Sequence, residues 1–171
     1  MQETEKTIRK CRELLAQSTP LKNDCGRLCS ANCCRSLDAE ETGMLLFPGE
    51  DAFYSGMSEW KILRNQDRAV LVCSGTCDRR IRPLSCRLFP LLPILDADGN
   101  VKVRMDPQAR HVCPLYASGV HGVCPEFVET VKECGELLAQ NPQTRCFLEE
   151  RTREYQEMIC LRREFLKGRE E

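Results

Sequence analysis

The chain has 171 residues, thirteen of them cysteine, with 25 basic against 26 acidic side chains and a formal charge of −1. That length is enough for one domain with a real core, and the balanced charge removes any general argument for nucleic acid. No run approaches the roughly 18 consecutive apolar residues of a membrane span, so neither nucleic acid nor a membrane is an expected partner.

Cysteine at this density approaches a disulfide scaffold. Such scaffolds are short secreted chains whose core is too small to hold them. Here the opening MQETEKTIRKCRELLAQ is charged and has no apolar stretch, and an odd number of cysteines cannot all pair within one chain. The expectation is therefore a cytoplasmic, reduced protein whose clustered thiolates hold metal.

In chain order, residues 3–17 predict an amphipathic helix with Ile8, Cys11 and Leu15 on one stripe, which makes Cys11 a small buried hydrophobe. The first cysteine group follows in DCGRLCSANCCR, with Cys25, Cys29, Cys33 and Cys34. Eight residues of regular helix rise about 12 Å, whereas thiolates around one zinc ion stand only about 4 Å apart. Cys25, Cys29 and Cys33 therefore cannot all meet one ion from an unbroken helix: either the helix breaks here or more than one metal atom is held. Adjacent Cys33 and Cys34 point in different directions in helix or strand alike.

Residues 36–58 are rich in turn signals, including Pro48-Gly49. Met44 to Phe47 reads as strand or turn, and 58–63 as a short helix or irregular chain. The sole tryptophan, Trp60, is assigned to the core near the metal. Ala69 to Cys73 has the β-branched content of a strand. It runs into a tight turn bearing Cys73 and Cys77. Cys86 follows in Arg82-Pro83-Leu84-Ser85-Cys86-Arg87, where the proline restrains the backbone. Arg79, Arg80, Arg82 and Arg87 bracket these cysteines, and guanidinium groups would offset the charge of about −2 on a four-thiolate zinc site. Arg82 and Arg87 are the residues assigned to that role.

Residues 94–104 read as a β-hairpin turning at Asp98-Gly99-Asn100. Cys113 and Cys124 each precede a proline, and Pro125 opens a helix over 125–140. Gly135 weakens that helix. After Asn141-Pro142 a long helix runs from about 143 to 167. Cys134, Cys146 and Cys160 have no close cysteine neighbours and are assigned to packing. The fold class expected is α+β: mainly helical, with a small hairpin, an irregular cysteine-rich core over 20–125 organised by metal, and a C-terminal helical pair over 125–168, all in one domain of residues 1–171.

The string Cys25…Cys29…Cys33-Cys34, followed by Cys77-x5-Arg82-Pro83-x2-Cys86-Arg87-x-Phe89, resembles a family of zinc- or iron-chelating proteins with a CxxCxxCC signature. That family is similar to the cysteine-rich region of flagellin lysine N-methylases. The first motif here is spaced by three residues rather than two. The resemblance implies a metal- or cluster-binding protein and carries no established reaction.

Nine cysteines stand as ligand candidates: Cys25, Cys29, Cys33, Cys34, Cys73, Cys77, Cys86, Cys113 and Cys124. The cofactor expected is an iron–sulfur cluster or Zn2+, since closed zinc sites contribute to folding and clustered cysteines near proline suit iron–sulfur. Metal binding without chemistry ranks first. Behind it stand an accessory part or remnant of a methyltransferase-like protein-modifying enzyme and a metal chaperone exposing Cys33-Cys34. No catalytic residue is assigned. The partners left open are another protein and a second copy meeting the C-terminal helices.

Overall fold

A computed structural model describes residues 2–34, 43–57, 60–65, 68–72 and 78–167. The helix α1 (Gln2–Leu14) leads to a short α2 (Gly26–Cys29) and then to strand β1 (Gly43–Leu45). Strands β2 (Lys61–Asn65) and β3 (Arg68–Val72) precede α3 (Leu84–Leu88), and β4 (Leu91–Leu95) pairs with β5 (Val101–Met105). Two long helices, α4 (Pro125–Gln140) and α5 (Pro142–Lys167), close the described chain.

The strands form two separate antiparallel sheets, one in the order β1-β3-β2 and one of β4 with β5. The expected hairpin is present, with Leu95 opposite Val101 and Leu91 opposite Met105. Its turn is built as the residue types require: Gly99 adopts φ 81°, and Asp96 Oδ1 accepts the backbone N–H groups of Asp98 and Asn100 at 3.1 and 2.8 Å. Of residues 58–63, read as a short helix or irregular, 58 and 59 lie outside the described residues and Lys61 to Leu63 belong to strand β2 instead, paired with β3 from Lys61↔Val72 to Asn65↔Arg68. Pairing with a neighbouring strand overrode a weak local pattern.

β4 is buried along its whole length, because α4 covers the hairpin and α5 lies along it. Leu95 N–H donates to Thr152 Oγ1 of α5 at 3.0 Å, satisfying a backbone donor at the end of β4. Gly135 is what allows α4 to sit so close: a Cβ there would fall 2.7 Å from Val101 Cγ1 and 2.8 Å from Pro93 Cβ. The mid-helix glycine is a packing requirement rather than only a weakness.

The main core gathers Ile8, Cys11 and Leu15 with Leu84, Leu91, Phe127, Val131, Cys134, Leu138 and Leu148. A smaller cluster of Leu46, Tyr54 and Leu71 packs with Trp60. The fold is α+β with a C-terminal helix pair, as expected. The expectation of a core organised by metal is overturned: hydrophobic packing across α1, α4, α5 and the hairpin supplies the core, and among the described residues no group of three or more His, Cys, Asp or Glu is placed to hold a metal ion. Cys11 and Cys134 are fully buried, as packing demands. Cys146 and Cys160, assigned to packing with them, are exposed, because α5 buries only Thr144, Phe147, Leu148 and Thr152.

Candidate functional site

The first cysteine group breaks its helix, one of the two outcomes expected had these cysteines held metal. α2 ends at Cys29, and Ser30 and Ala31 adopt φ of 52° and 54°, a left-handed conformation that costs about 1–2 kcal/mol for each non-glycine residue. Ala31 N–H reaches back to Gly26 O at 2.8 Å. The chain then turns through a 3-10 segment, Asn32–Cys34. This reversal brings Cys25, Cys29 and Cys33 to a cavity of about 60 Å³ that Cys86 and Cys113 also line.

Opposite these thiols lies the arginine-rich loop, and its shape comes from a buried polar network. Arg87, 8% exposed, donates to Arg82 O at 3.0 Å, Arg12 O at 3.1 Å, Arg79 O at 2.9 Å and Arg80 O at 2.8 Å. Tyr54 Oη donates to Ile81 O at 2.7 Å, so every carbonyl from residue 79 to residue 82 is satisfied by a side chain. Arg12 joins α1 to this network through Glu50 Oε1 at 2.9 Å and Tyr54 Oη at 3.1 Å. Glu50 also accepts the Leu84 N–H at 2.6 Å, at the start of α3. Burial, with Glu50 adding to it, pushes the Tyr54 hydroxyl up to about 12, so it stays a donor. Arg79 is committed as well, donating to Ala16 O at 3.2 Å and Ser18 O at 2.6 Å.

The arginines assigned as flanking a cofactor therefore divide. Arg87 is spent on backbone carbonyls and shapes the loop. Arg82 lines the thiol cavity and acts electrostatically on Cys25 and Cys34. Glu50, Arg12 and Tyr54 were not legible as site-shaping residues. A carboxylate inside the turn Pro48-Gly49-Glu50-Asp51 reads as solvated until the fold buries it.

Cys33 Sγ and Cys34 Sγ stand 4.0 Å apart, with Cys33 exposed and Cys34 partly so. The two thiols share a hydrogen bond and titrate as a unit. That bond, helped by Arg82 and opposed by burial, holds Cys34 down to about 6, while Cys33 is pushed up. Burial pushes up Cys25, with Asp24 adding to it, and also pushes up Cys113. Cys124 lies elsewhere, its thiol 2.7 Å from Glu126 Oε2 at the start of α4. Cys73 and Cys77 lie outside the described residues.

The expected metal centre is corrected here. The zinc or iron–sulfur cofactor, the metal-binding function built on it, and the resemblance to the chelating family required at least three ligands at one point, and among the described residues no such group exists. Line-up along a cavity wall is not convergence on an ion: Cys29 Sγ turns toward Cys25 O at 3.9 Å, Cys33 and Cys34 face each other, and Cys124 faces Glu126. Compared with known proteins, the chain matches no family model, no curated protein and no solved structure. No helix among the described residues is long and apolar enough to cross a membrane.

Proposed function

We propose that the chain is a thiol–disulfide exchange protein that reacts with low-molecular-weight disulfides through Cys34 and resolves through Cys33. The observation that carries this reading is the thiol pair, Cys33 exposed and Cys34 partly so, with sulfurs 4.0 Å apart. A thiolate attacks a disulfide most effectively when its pKa lies near ambient pH, and the pair has one thiol in that range and one held protonated beside it.

The exchange balances without a further reagent. Cys34 Sγ attacks one sulfur of the incoming disulfide, forming a mixed disulfide and releasing one small thiolate. Cys33, losing its proton to solvent, attacks Cys34 Sγ and releases the second. Two electrons pass from protein to disulfide, and the two protons end on the released thiols. Adjacent Cα atoms are about 3.8 Å apart, shorter than the usual ~4.4–6.8 Å across a disulfide. A Cys33–Cys34 bond is therefore strained and readily reduced, which suits exchange rather than structural cross-linking.

Glutathione disulfide tests the reading. A Cys146→Ser, Cys160→Ser background removes two exposed competitors. In it, mass spectrometry should find a Cys33–Cys34 disulfide with two glutathiones released per chain. Cys33→Ser should trap one glutathione on Cys34. Unchanged reaction in Cys34→Ser would overturn the assignment. This chemistry fits a reducing compartment such as the cytoplasm.

For partners, we infer a second copy meeting the outer half of α5, where Leu161 and Phe165, one turn apart on the same face, are 65% and 64% exposed. Light scattering on the eluting protein tests this: a dimer that Leu161→Glu converts to monomer is the result expected, and a monomer at all concentrations would overturn it.

A further inference from the structure

A cavity of about 290 Å³ lies between the three-stranded sheet and the hairpin with α5. Its walls include Leu45, Val70, Leu88, Leu92 and Phe147, and Asp106 and Arg151 stand among its polar groups. That volume is near the lower end of small-molecule sites, about 300–1,000 Å³. This combination of apolar walls and a few convergent polar groups is the usual composition of a small-molecule site.

The polar groups are not equivalent. Arg151 pairs with Glu154, and Arg68 pairs with Glu150 and Glu154, so both guanidinium groups are already neutralised by carboxylates. Asp106 is only 7% exposed. Its Oδ1 accepts the Gln108 N–H at 2.9 Å, but Arg151 Nη2 is 3.9 Å from Oδ2, beyond hydrogen-bond length. Among the described residues Asp106 Oδ2 thus has an ion pair with Arg151 and no hydrogen bond, which favours a ligand that donates to a carboxylate.

We propose that this cavity is a binding site for a small apolar primary amine, its body against the leucine and phenylalanine walls and its ammonium on Asp106 Oδ2. The proposal is independent of the thiol chemistry, since none of the cysteines among the described residues lines the cavity. Burial pushes the empty-site carboxyl up, and an ammonium seated on it holds it ionised, so amine binding strengthens as pH rises above the carboxyl's range.

The test uses three matched probes on the full chain: 2-phenylethylamine, 2-phenylethanol and 3-phenylpropanoate, titrated by calorimetry. The amine should bind about tenfold or more tighter than either analogue, as a buried charged hydrogen bond requires. Asp106→Asn, which keeps an oxygen for the Gln108 N–H, should retain its circular dichroism and lose that preference. Amide shifts on adding amine should concentrate at Leu92, Asp106 and Arg151, a readout independent of the variant's folding. Equal affinity for the three probes, an unchanged preference in Asp106→Asn, shifts elsewhere in the chain, or no binding at millimolar amine would each overturn the proposal.

Discussion

Arg12 Nη1 stands 2.9 Å from Glu50 Oε1, and the carboxylate side chain has no exposed surface. The pair joins α1 to the entry of α3, since Glu50 also receives the N–H groups of Leu84 and Phe47. Removing one member leaves the other buried without its counter-charge. Arg12→Ala and Glu50→Ala should each cost about 3–5 kcal/mol, and the double variant should cost less than their sum. Urea unfolding of the four chains measures this; additive losses would mean the two groups act separately.

Arg87 is the hub of the loop at residues 79–82. Lysine offers a compact ammonium in place of a planar fork and cannot span carbonyls of Arg12, Arg79, Arg80 and Arg82 together. Arg87→Lys should destabilise by about 1.5–3 kcal/mol. Amide exchange at Ile81 and Arg82 should rise before exchange in α4 does, because loop carbonyls lose their donors while the helix keeps its own.

Cys34 gives a pH signature. Its alkylation by iodoacetamide should follow a midpoint of about 6 and level off above neutrality. Cys33→Ala should move that midpoint up, removing the hydrogen bond that depresses it most, and Arg82→Ala should move it up by less. The sign for stability follows from a folded value below the unfolded one. The contribution of the Cys34 thiolate is complete above the unfolded thiol's value near ~8.5 and is lost as pH falls through about 6. A midpoint near that of an ordinary thiol would remove the electrostatic basis for Cys34 as attacking group.

Gly135→Ala separates propensity from packing. In an exposed helix the change gains about 1 kcal/mol. Here the new methyl meets Val101 and Pro93, and overpacking of this kind costs about 1–3 kcal/mol. Thermal unfolding should therefore shift downward; an upward shift would mean that α4 and the hairpin yield easily.

At Ala31 the same logic runs in reverse. With φ at 54°, glycine relieves a left-handed penalty of about 1–2 kcal/mol while adding about 0.5–1 kcal/mol of backbone entropy cost. Ala31→Gly should be neutral or stabilise by up to about 1.5 kcal/mol. Ala31→Val should destabilise, and chemical denaturation of the three chains ranks them.

Helices with long apolar stripes were legible in the chain. Ile8, Cys11 and Leu15 repeat at helical spacing and are buried together, and Pro125 and Pro142 mark the starts of α4 and α5. The hairpin was legible from Asp98-Gly99-Asn100, whose residue types suit one backbone shape. Strand β2 was not, because its evidence lies in its partner β3 rather than in itself. The break after Cys29 was not: it stood as one of two alternatives in an argument from metal ligation, and among the described residues no group is placed to hold a metal.

Where the Cys33 and Cys34 thiols point was not legible in the chain. Spacing along the chain is a local quantity, and it sufficed to place the long helices and the hairpin turn. Whether thiols meet at a metal depends on where their side chains point after the chain folds, and the density of cysteine in the sequence does not contain that direction. Tertiary packing set Cys25, Cys29, Cys33, Cys86 and Cys113 along a cavity wall and placed Cys34 beside Cys33. It also buried Glu50, Arg87 and Asp106, because desolvation is a property of what surrounds a residue rather than of the residue itself.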